Sequence, residues 1–309
     1  MPDAVTVCLP DTTELALIGD LPANVRTVLV PQEPEPLPDL SQVELIVPNR
    51  RVREPLIELL AGASRLRVVQ TLSAGVDWLA GRVPETVIVC NARGVYDGPL
   101  ADWVVGAILA FQRGLLRARD AQARGTWADF EPDEVAGLRV VILGFGSIGS
   151  AVAERLRPFG VEVVGVARTK RADAFGLEDV DAVLPTADVL VNLLPLTAET
   201  VGFLDARRLG LLPDGALLVN AGRGRTVDTR ALVAEAGTGR LRAALDVTDP
   251  EPLPDGHPLW GLPNVLISPH IAGDSSGSTE RAFRLAGDQI RRFAAGEPLA
   301  IVVPRYLLE

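Results

Sequence analysis

Short runs dense in Val, Ile and Leu recur along the chain, with room for a helix between most of them. In the first third they cover residues 5–9, 25–30, 45–47, 68–71 and 87–90. Continuous apolar runs of this length are the pattern of strands buried on both faces of a parallel sheet. The acidic, proline-rich stretch 31–40 predicts a surface loop. Near Pro99 the texture changes. Residues 99–124 are helix-patterned and mostly apolar, with proline in the first turn, and predict one long helix that bridges domains or subunits. A second alternation follows: strand 139–143, helix 147–159 and strand 161–166, then strands 189–194, 216–220 and 241–245 with helices between them. Residues 265–268 lead into a final helix, 278–295. Two strand–helix series with a long helix between them predict an α/β chain with two parallel sheets.

Composition supports that architecture. A chain of 309 residues exceeds one ordinary core and suits two domains, and its 48% hydrophobic content can fill both. The formal charge of −10 argues against general affinity for nucleic acid or anionic membranes, although a local positive field can still hold an anionic substrate. No apolar run approaches the roughly 20 residues of a membrane helix. The opening residues show no basic segment leading into an apolar one, so no signal peptide is expected and a cytoplasmic address follows. Cys8 and Cys90 each end a strand-like run and read as inert buried thiols. They make neither a disulfide framework nor a zinc site, and no metal is expected.

The strongest local motif is Gly144-Phe-Gly146-Ser-Ile-Gly149. Gly144 suits the turn out of a strand, Gly146 lets backbone approach a pyrophosphate, and Gly149 allows close helix packing. A bare G-x-G-x-x-G is weak evidence; here a strand precedes it and an amphipathic helix follows, which is the context dinucleotide binding requires. About 20 residues on, an NAD site would carry an acid for the ribose hydroxyl. The chain reads Ala167-Arg168-Thr169-Lys170-Arg171 instead. Arg168 can hold a 2′-phosphate by paired hydrogen bonds, which favours NADP. The other reading of the same residues is a basic turn lying in water.

With only two histidines, candidates for proton transfer near neutral pH are few. His257, within Asp255-Gly-His-Pro-Leu-Trp260, suits a structural role in a turn. His270 follows a strand in Ile267-Ser-Pro-His and precedes Gly273. That is the carboxyl end of a strand, where open α/β sheets bind ligands. Asn220-Ala-Gly-Arg223-Gly224 and Asp246-Val-Thr-Asp-Pro-Glu251-Pro252 follow two other strands. Singly, Arg223 and Glu251 read equally as surface-loop residues. Together with His270 they form a coherent set for hydride transfer.

At this point the chain resembles the D-isomer-specific 2-hydroxyacid dehydrogenase family along essentially its whole length. The resemblance rests on Ser73-Ala-Gly-Val-Asp77, the Gly144 loop, Asn220–Gly224, Asp246–Pro252 and Ser268-Pro-His270 in that order. It implies two Rossmann-like doubly wound domains with parallel sheets and an active-site cleft between them. Residues 1–98 plus 282–309 would form a flavodoxin-like substrate domain, and 99–281 the dinucleotide-binding domain, with 99–124 helping to form a homodimer. It further implies that Arg223 grips the substrate carboxylate and polarises the keto oxygen. His270 would protonate that oxygen as hydride arrives, and Glu251 would pair with His270 and favour its charged form. Asp246 would hold the nicotinamide carboxamide. Ser73 and the backbone N–H groups of Ala74, Gly75 and Val76 would cradle the substrate carboxylate, although the same residues would form a strand-to-helix turn in any case. Cofactor contacts are expected at Gly144, Gly146, Ser147, Ile148, Gly149, Arg168, Thr169, Lys170, Leu194, Pro195, Ala221, Asp246 and Gly273.

The basic turn departs from the familiar NAD-using members and resembles NADP-using glyoxylate and hydroxypyruvate reductases. Formate dehydrogenases carry Gln where Glu251 stands, and phosphoglycerate dehydrogenases often add a regulatory domain for which this chain has no room. A reductase of small 2-keto acids using NADP, with NAD possible, is therefore the leading expectation. An NAD-linked D-2-hydroxyacid dehydrogenase with another substrate is the alternative, and a dinucleotide-sensing binding protein like the family's corepressors is a distant third. In the loop Pro48-Asn-Arg50-Arg51, the arginines suit either an extra substrate carboxylate or plain surface charge.

Overall fold

A computed structural model describes residues 4–31, 38–48 and 60–309. The chain divides into two compact units, Met1–Tyr96 with Ser275–Glu309, and Asp97–Asp274. The divisions fall a few residues ahead of the 98/99 and 281/282 boundaries read from the sequence. Arg50 and Arg51, and most of the 31–40 stretch, lie outside the described residues.

The first unit is built on β1 (Val5–Pro10), β2 (Val25–Val30), β3 (Leu45–Ile46), β4 (Val68–Gln70) and β5 (Ile88–Cys90). They form one parallel sheet in the order β2-β1-β3-β4-β5, the flavodoxin-like arrangement. Alternate residues along each strand serve opposite faces. Val5, Val7, Leu9, Leu45 and Val68 pack with Ala282, Phe283, Ala286 and Ile290 of the helix Ser278–Ala295. Cys8, Ile46, Val69 and Val89 pack on the other face with Leu40, Val43 and Leu79. Helix positions 282, 283, 286 and 290 make one apolar stripe, so this late helix supplies a missing wall of the core. After it ends at Gly296 (φ 71°), the chain returns antiparallel to β5, where the Val303 N–H donates to the Val89 carbonyl at 2.8 Å.

The second unit carries β6 (Arg139–Leu143), β7 (Glu162–Ala167), β8 (Phe175–Gly176), β9 (Val189–Asn192), β10 (Leu217–Asn220), β11 (Arg242–Leu245) and β12 (Val265–Ile267). All pair in parallel, in the order β12-β11-β10-β9-β6-β7-β8. The strand order reverses between β6 and β9, which marks the switch point where doubly wound sheets bind ligands beyond the strands' carboxyl ends. Val140, Ile142, Val189 and Val191 face the helices Asp97–Gln112 and Ser147–Leu156, while Val141, Leu143, Val166 and Leu190 face the opposite layer.

Two helix expectations need correction. The predicted helix 99–124 is two helices, Asp97–Gln112 and Leu115–Ala123. They break at Gly114, whose φ of 62° leaves the helical region, and the Phe130 ring occupies the space its Cβ would need. The predicted helix 147–159 ends as α-helix at Leu156, and Arg157–Phe159, which contains Pro158, tightens into a 3₁₀ turn. Cys8 and Cys90 are buried and unpaired, and burial pushes their thiols up to about 12 and about 11, as expected of inert side chains. Among the described residues, no helix is long and apolar enough to cross a membrane.

Candidate active site

The glycine loop leaves β6 at the switch point. Gly144 turns the chain with φ 85°, and a Cβ there would come within 2.6 Å of the Leu193 carbonyl oxygen that follows β9. Gly149 is buried where a Cβ would lie 2.9 Å from the Gly144 carbonyl oxygen. Gly146 is different. Its φ is −96°, and a Cβ would meet nothing within 4 Å, so neither backbone strain nor protein packing demands glycine. Open space over a glycine at the mouth of a helix is what close approach by a ligand requires. Gly146 is also the N-cap of Ser147–Leu156 and provides no side-chain cap, so the first-turn N–H groups at Ser147 and Ile148 face outward without intrahelical acceptors. These residues fit a dinucleotide pyrophosphate, which such a helix end would attract.

Beyond β7 the basic residues diverge. Arg168 and Thr169 are exposed, close to the strand's carboxyl end. The Lys170 ammonium is paired with Asp179 at 3.3 Å. Leu194 and Pro195 follow β9 and Ala221 follows β10, so both segments border the switch point or its neighbour.

Arg223, Glu251 and His270 follow β10, β11 and β12, three adjacent strands. The glycines beside Arg223 owe their place to packing. A Cβ at Gly224 would overlap the Thr248 carbonyl, and one at Gly222 would press on Leu193 and Leu194. Their neighbouring loops therefore pack backbone to backbone. The Arg223 side chain is half-buried, and its Nη1 donates to the Gly222 carbonyl at 2.8 Å. His270 Nδ1 lies 2.6 Å from Glu251 Oε1. With Nδ1–H donating to that carboxylate, Nε2 is the nitrogen left for a reacting oxygen. Chiefly because of this bond, and less through the fields of His270 and Arg223 and the Thr248 backbone, Glu251 sits below the usual carboxylate range; burial opposes the shift.

His270 adopts a left-handed backbone, φ 55°, which is uncommon without glycine. Asp246 holds it there. The His270 N–H donates to the Asp246 backbone carbonyl at 2.9 Å. The Asp246 carboxylate is 3% exposed; Oδ1 accepts from Ser268 Oγ (2.6 Å) and the Ile271 N–H (2.9 Å), and Oδ2 from the Ala272 N–H (2.9 Å). Its oxygens are thus directed at the turn that carries His270 and, just past it, Gly273. His257 behaves as a structural residue: Nδ1 caps the turn Pro258–Gly261 by accepting from the Leu259 N–H at 3.3 Å.

In the first unit, residues 73–76 follow β4 and have their carbonyls turned toward protein donors. The Ser73 carbonyl accepts from Thr71 Oγ1 (2.8 Å) and the Ala92 N–H (3.0 Å). The Ala74 carbonyl accepts from Asn91 Nδ2 (2.6 Å), and the Gly75 carbonyl from Ser73 Oγ (2.8 Å) and Trp78 Nε1 (3.2 Å). The carbonyls of this turn are thus held by protein donors.

Sequence reasoning passed over several supporting residues. Asn192 Nδ2 donates to Asn220 Oδ1 (3.0 Å) and Thr226 Oγ1 (2.7 Å), and Thr226 Oγ1 donates to the Arg223 carbonyl (2.6 Å). All three are almost fully buried and fix the backbone that carries Arg223. A signal was available: both β9 and β10 are apolar until a terminal asparagine.

Comparison with known proteins finds related sequences and related folds. A family model described as the NAD binding domain of D-isomer specific 2-hydroxyacid dehydrogenases matches residues 105–272. A glyoxylate reductase of Thermofilum pendens is 33% identical, covering 79% of this chain and 77% of that protein. A glyoxylate/hydroxypyruvate reductase A of Salmonella newport is 30% identical, covering 86% and 94%. Among solved structures, an NADPH-dependent glyoxylate/hydroxypyruvate reductase from Sinorhizobium meliloti, in complex with NADP and sulfate, superposes with a TM-score of 0.84 at 28% identity, covering 99% of this chain and 100% of that one.

Proposed function

Because the chain belongs to the D-isomer specific 2-hydroxyacid dehydrogenase family and is an NAD(P)-dependent oxidoreductase, we propose that it reduces a small 2-keto acid such as glyoxylate or hydroxypyruvate with NADPH. The observation that carries this reading is the 2.6 Å pair of His270 and Glu251 beyond β11 and β12, beside the strand that leads to Arg223. The names of the two similar reductases support the substrate class, and the NADP in the Sinorhizobium structure supports the cofactor.

The dinucleotide would lie against the loop Gly144–Gly149, with Leu194, Pro195, Ala221 and Gly273 lining its path, and supply a hydride to the keto carbon. Arg168 and Thr169 would meet the 2′-phosphate, while Lys170, engaged by Asp179, contributes less. Arg223 binds the substrate carboxylate and polarises the keto oxygen through its guanidinium fork. His270 gives its Nε2 proton to that oxygen, so the product is the 2-hydroxy acid. Glu251 accepts from Nδ1 and so keeps Nε2 turned to that oxygen. The N–H groups of Ala74, Gly75 and Val76, with Ser73, receive the carboxylate end. Asp246 would reach the nicotinamide carboxamide besides holding the His270 turn.

The engagement of Lys170 gives the NAD-linked alternative one specific support, since it leaves fewer cations for a phosphate. The test is kcat/KM for NADPH and NADH over a panel of 2-keto acids, before and after Arg168→Ala. A charged hydrogen bond contributes about 1.5–3 kcal/mol, so Arg168 can support roughly 10- to 100-fold preference for NADPH. A parent enzyme that prefers NADH would reverse the cofactor assignment. A cytoplasmic homodimer completes the proposal. Exposed Leu115 (55%) and Trp127 (98%), in and just after the second helix of the broken pair, support an interface there, and unpaired thiols suit a reducing compartment. A monomer mass by light scattering would exclude the dimer.

A further inference from the structure

Arg171 turns back from the end of β7 toward the glycine loop. Its Nη2 donates to the Phe145 carbonyl at 2.6 Å, and its Nε donates to the Asp173 carboxylate at 2.6 Å. The guanidinium carbon is 5.7 Å from the centre of the Phe145 ring. Paired backbone bonds with Ala174, at 3.0 and 3.3 Å, close the turn that presents it. Phe145 is the residue between Gly144 and Gly146, and other contacts restrain it as well. Its N–H and that of Gly144 both donate to the Val166 carbonyl at 2.9 Å. Its ring lies on Gly165 of β7, where a Cβ would come within 2.5 Å of it. The carbonyl held by Arg171 belongs to the same peptide plane as the Gly146 N–H, which donates to the Gly144 carbonyl at 2.8 Å.

We propose that Arg171 is a positioning residue for the dinucleotide: it locks the Phe145–Gly146 peptide and so ties the pyrophosphate loop to the turn that carries Arg168. The proposal rests on the dinucleotide reading of that loop. Its consequence is a division of labour within one basic cluster. Arg168 distinguishes cofactors by the 2′-substituent, whereas Arg171 acts on what both dinucleotides share.

The experiment compares the full-length protein with Arg171→Met, which keeps the unbranched stem and loses the donors and the charge, and Arg171→Lys, which keeps the charge and an N–H donor group. Dissociation constants for NADPH and NADH are read from the fluorescence of the reduced nicotinamide. Amide hydrogen exchange across residues 143–150 is read without dinucleotide. In Arg171→Met both constants should rise by the same factor, about 3- to 10-fold, the size of one net hydrogen bond. Exchange in the loop should quicken, and Arg171→Lys should recover part of both effects. Unchanged constants together with unchanged exchange would overturn the proposal. A rise confined to NADPH would overturn it too, by making Arg171 a phosphate ligand. A parent that binds neither dinucleotide would instead sink the reading of the loop itself, which separates the two failures.

Discussion

Replacing Asp246 by Asn tests how His270 is held, with almost no change in shape. The carboxylate accepts three hydrogen bonds, from Ser268 Oγ, the Ile271 N–H and the Ala272 N–H, at a position 3% exposed. Asparagine has one acceptor oxygen and one NH₂ group. If its oxygen replaces Oδ1, the NH₂ faces the Ala272 N–H, donor against donor. If it replaces Oδ2, the Ile271 N–H loses its acceptor, although the Ser268 hydroxyl can turn and accept. Either way at least one bond from a backbone N–H to a charged group is lost, worth about 1.5–3 kcal/mol. Ala272 is 2% exposed, so water cannot readily satisfy its N–H and the first orientation costs more. The expected loss of stability is about 2–4 kcal/mol, read as a lower urea midpoint at unchanged m. The His270 backbone, at φ 55°, is then free to relax, so kcat should fall as well. A variant with parental stability and kcat but a raised KM for the dinucleotide would refute the holding role and leave Asp246 as a carboxamide contact alone.

Three further variants test the same geometry. His270→Ala should bind dinucleotide nearly normally and lose roughly 10²- to 10⁴-fold in single-turnover hydride transfer, the usual share of a general acid; near-normal transfer would remove it from the mechanism. Glu251→Gln removes the carboxylate that accepts from His270 Nδ1, so kcat should fall while dinucleotide binding is kept, and a parental kcat would contradict the pairing. Because the folded Glu251 sits below its ordinary range, its favourable contribution is present above the unfolded carboxyl's range and disappears as pH falls through the lower folded value; the parent's acid unfolding should show this dependence and Glu251→Gln should lack it. Arg223→Lys should fold, since Asn192, Asn220 and Thr226 hold its backbone, yet lose kcat for want of a two-point grip; parental kcat at saturating substrate would count against its role at the keto oxygen.

What could be read from the sequence was whatever depends on neighbours along the chain. Strand runs such as 139–143 and 5–9 show themselves as short apolar runs, and the glycine loop announces itself by spacing between a strand and a helix. The broken helix was harder, because Gly114 is tolerable within a helix until the Phe130 ring takes the place of its Cβ. Side-chain destinations were harder still. Lys170 and Arg171 are adjacent charges, yet one goes to Asp179 and the other to Phe145. The three donors to Asp246 come from 22 to 26 residues further along, on the far side of another strand. Asn192 reaches partners 28 and 34 residues away, beyond any local pattern.

The C-terminal helix and the segment after it bear on how the chain acquires its structure during synthesis. Residues 97–274 are contiguous, so that unit can assemble as soon as it leaves the ribosome. The first unit begins earlier and finishes later. Until Ala282, Phe283, Ala286 and Ile290 emerge, Val7, Leu45 and Val68 on one face of its sheet lack the apolar stripe that packs on them. Until Val302 and Val303 arrive, the outer edge of β5 has no partner, and an open edge of that kind invites pairing with another chain. Translation therefore makes the first 96 residues wait in an incompletely packed state while the middle of the chain matures. A released chain that ends after residue 274 should have a second unit that resists protease and a first that does not.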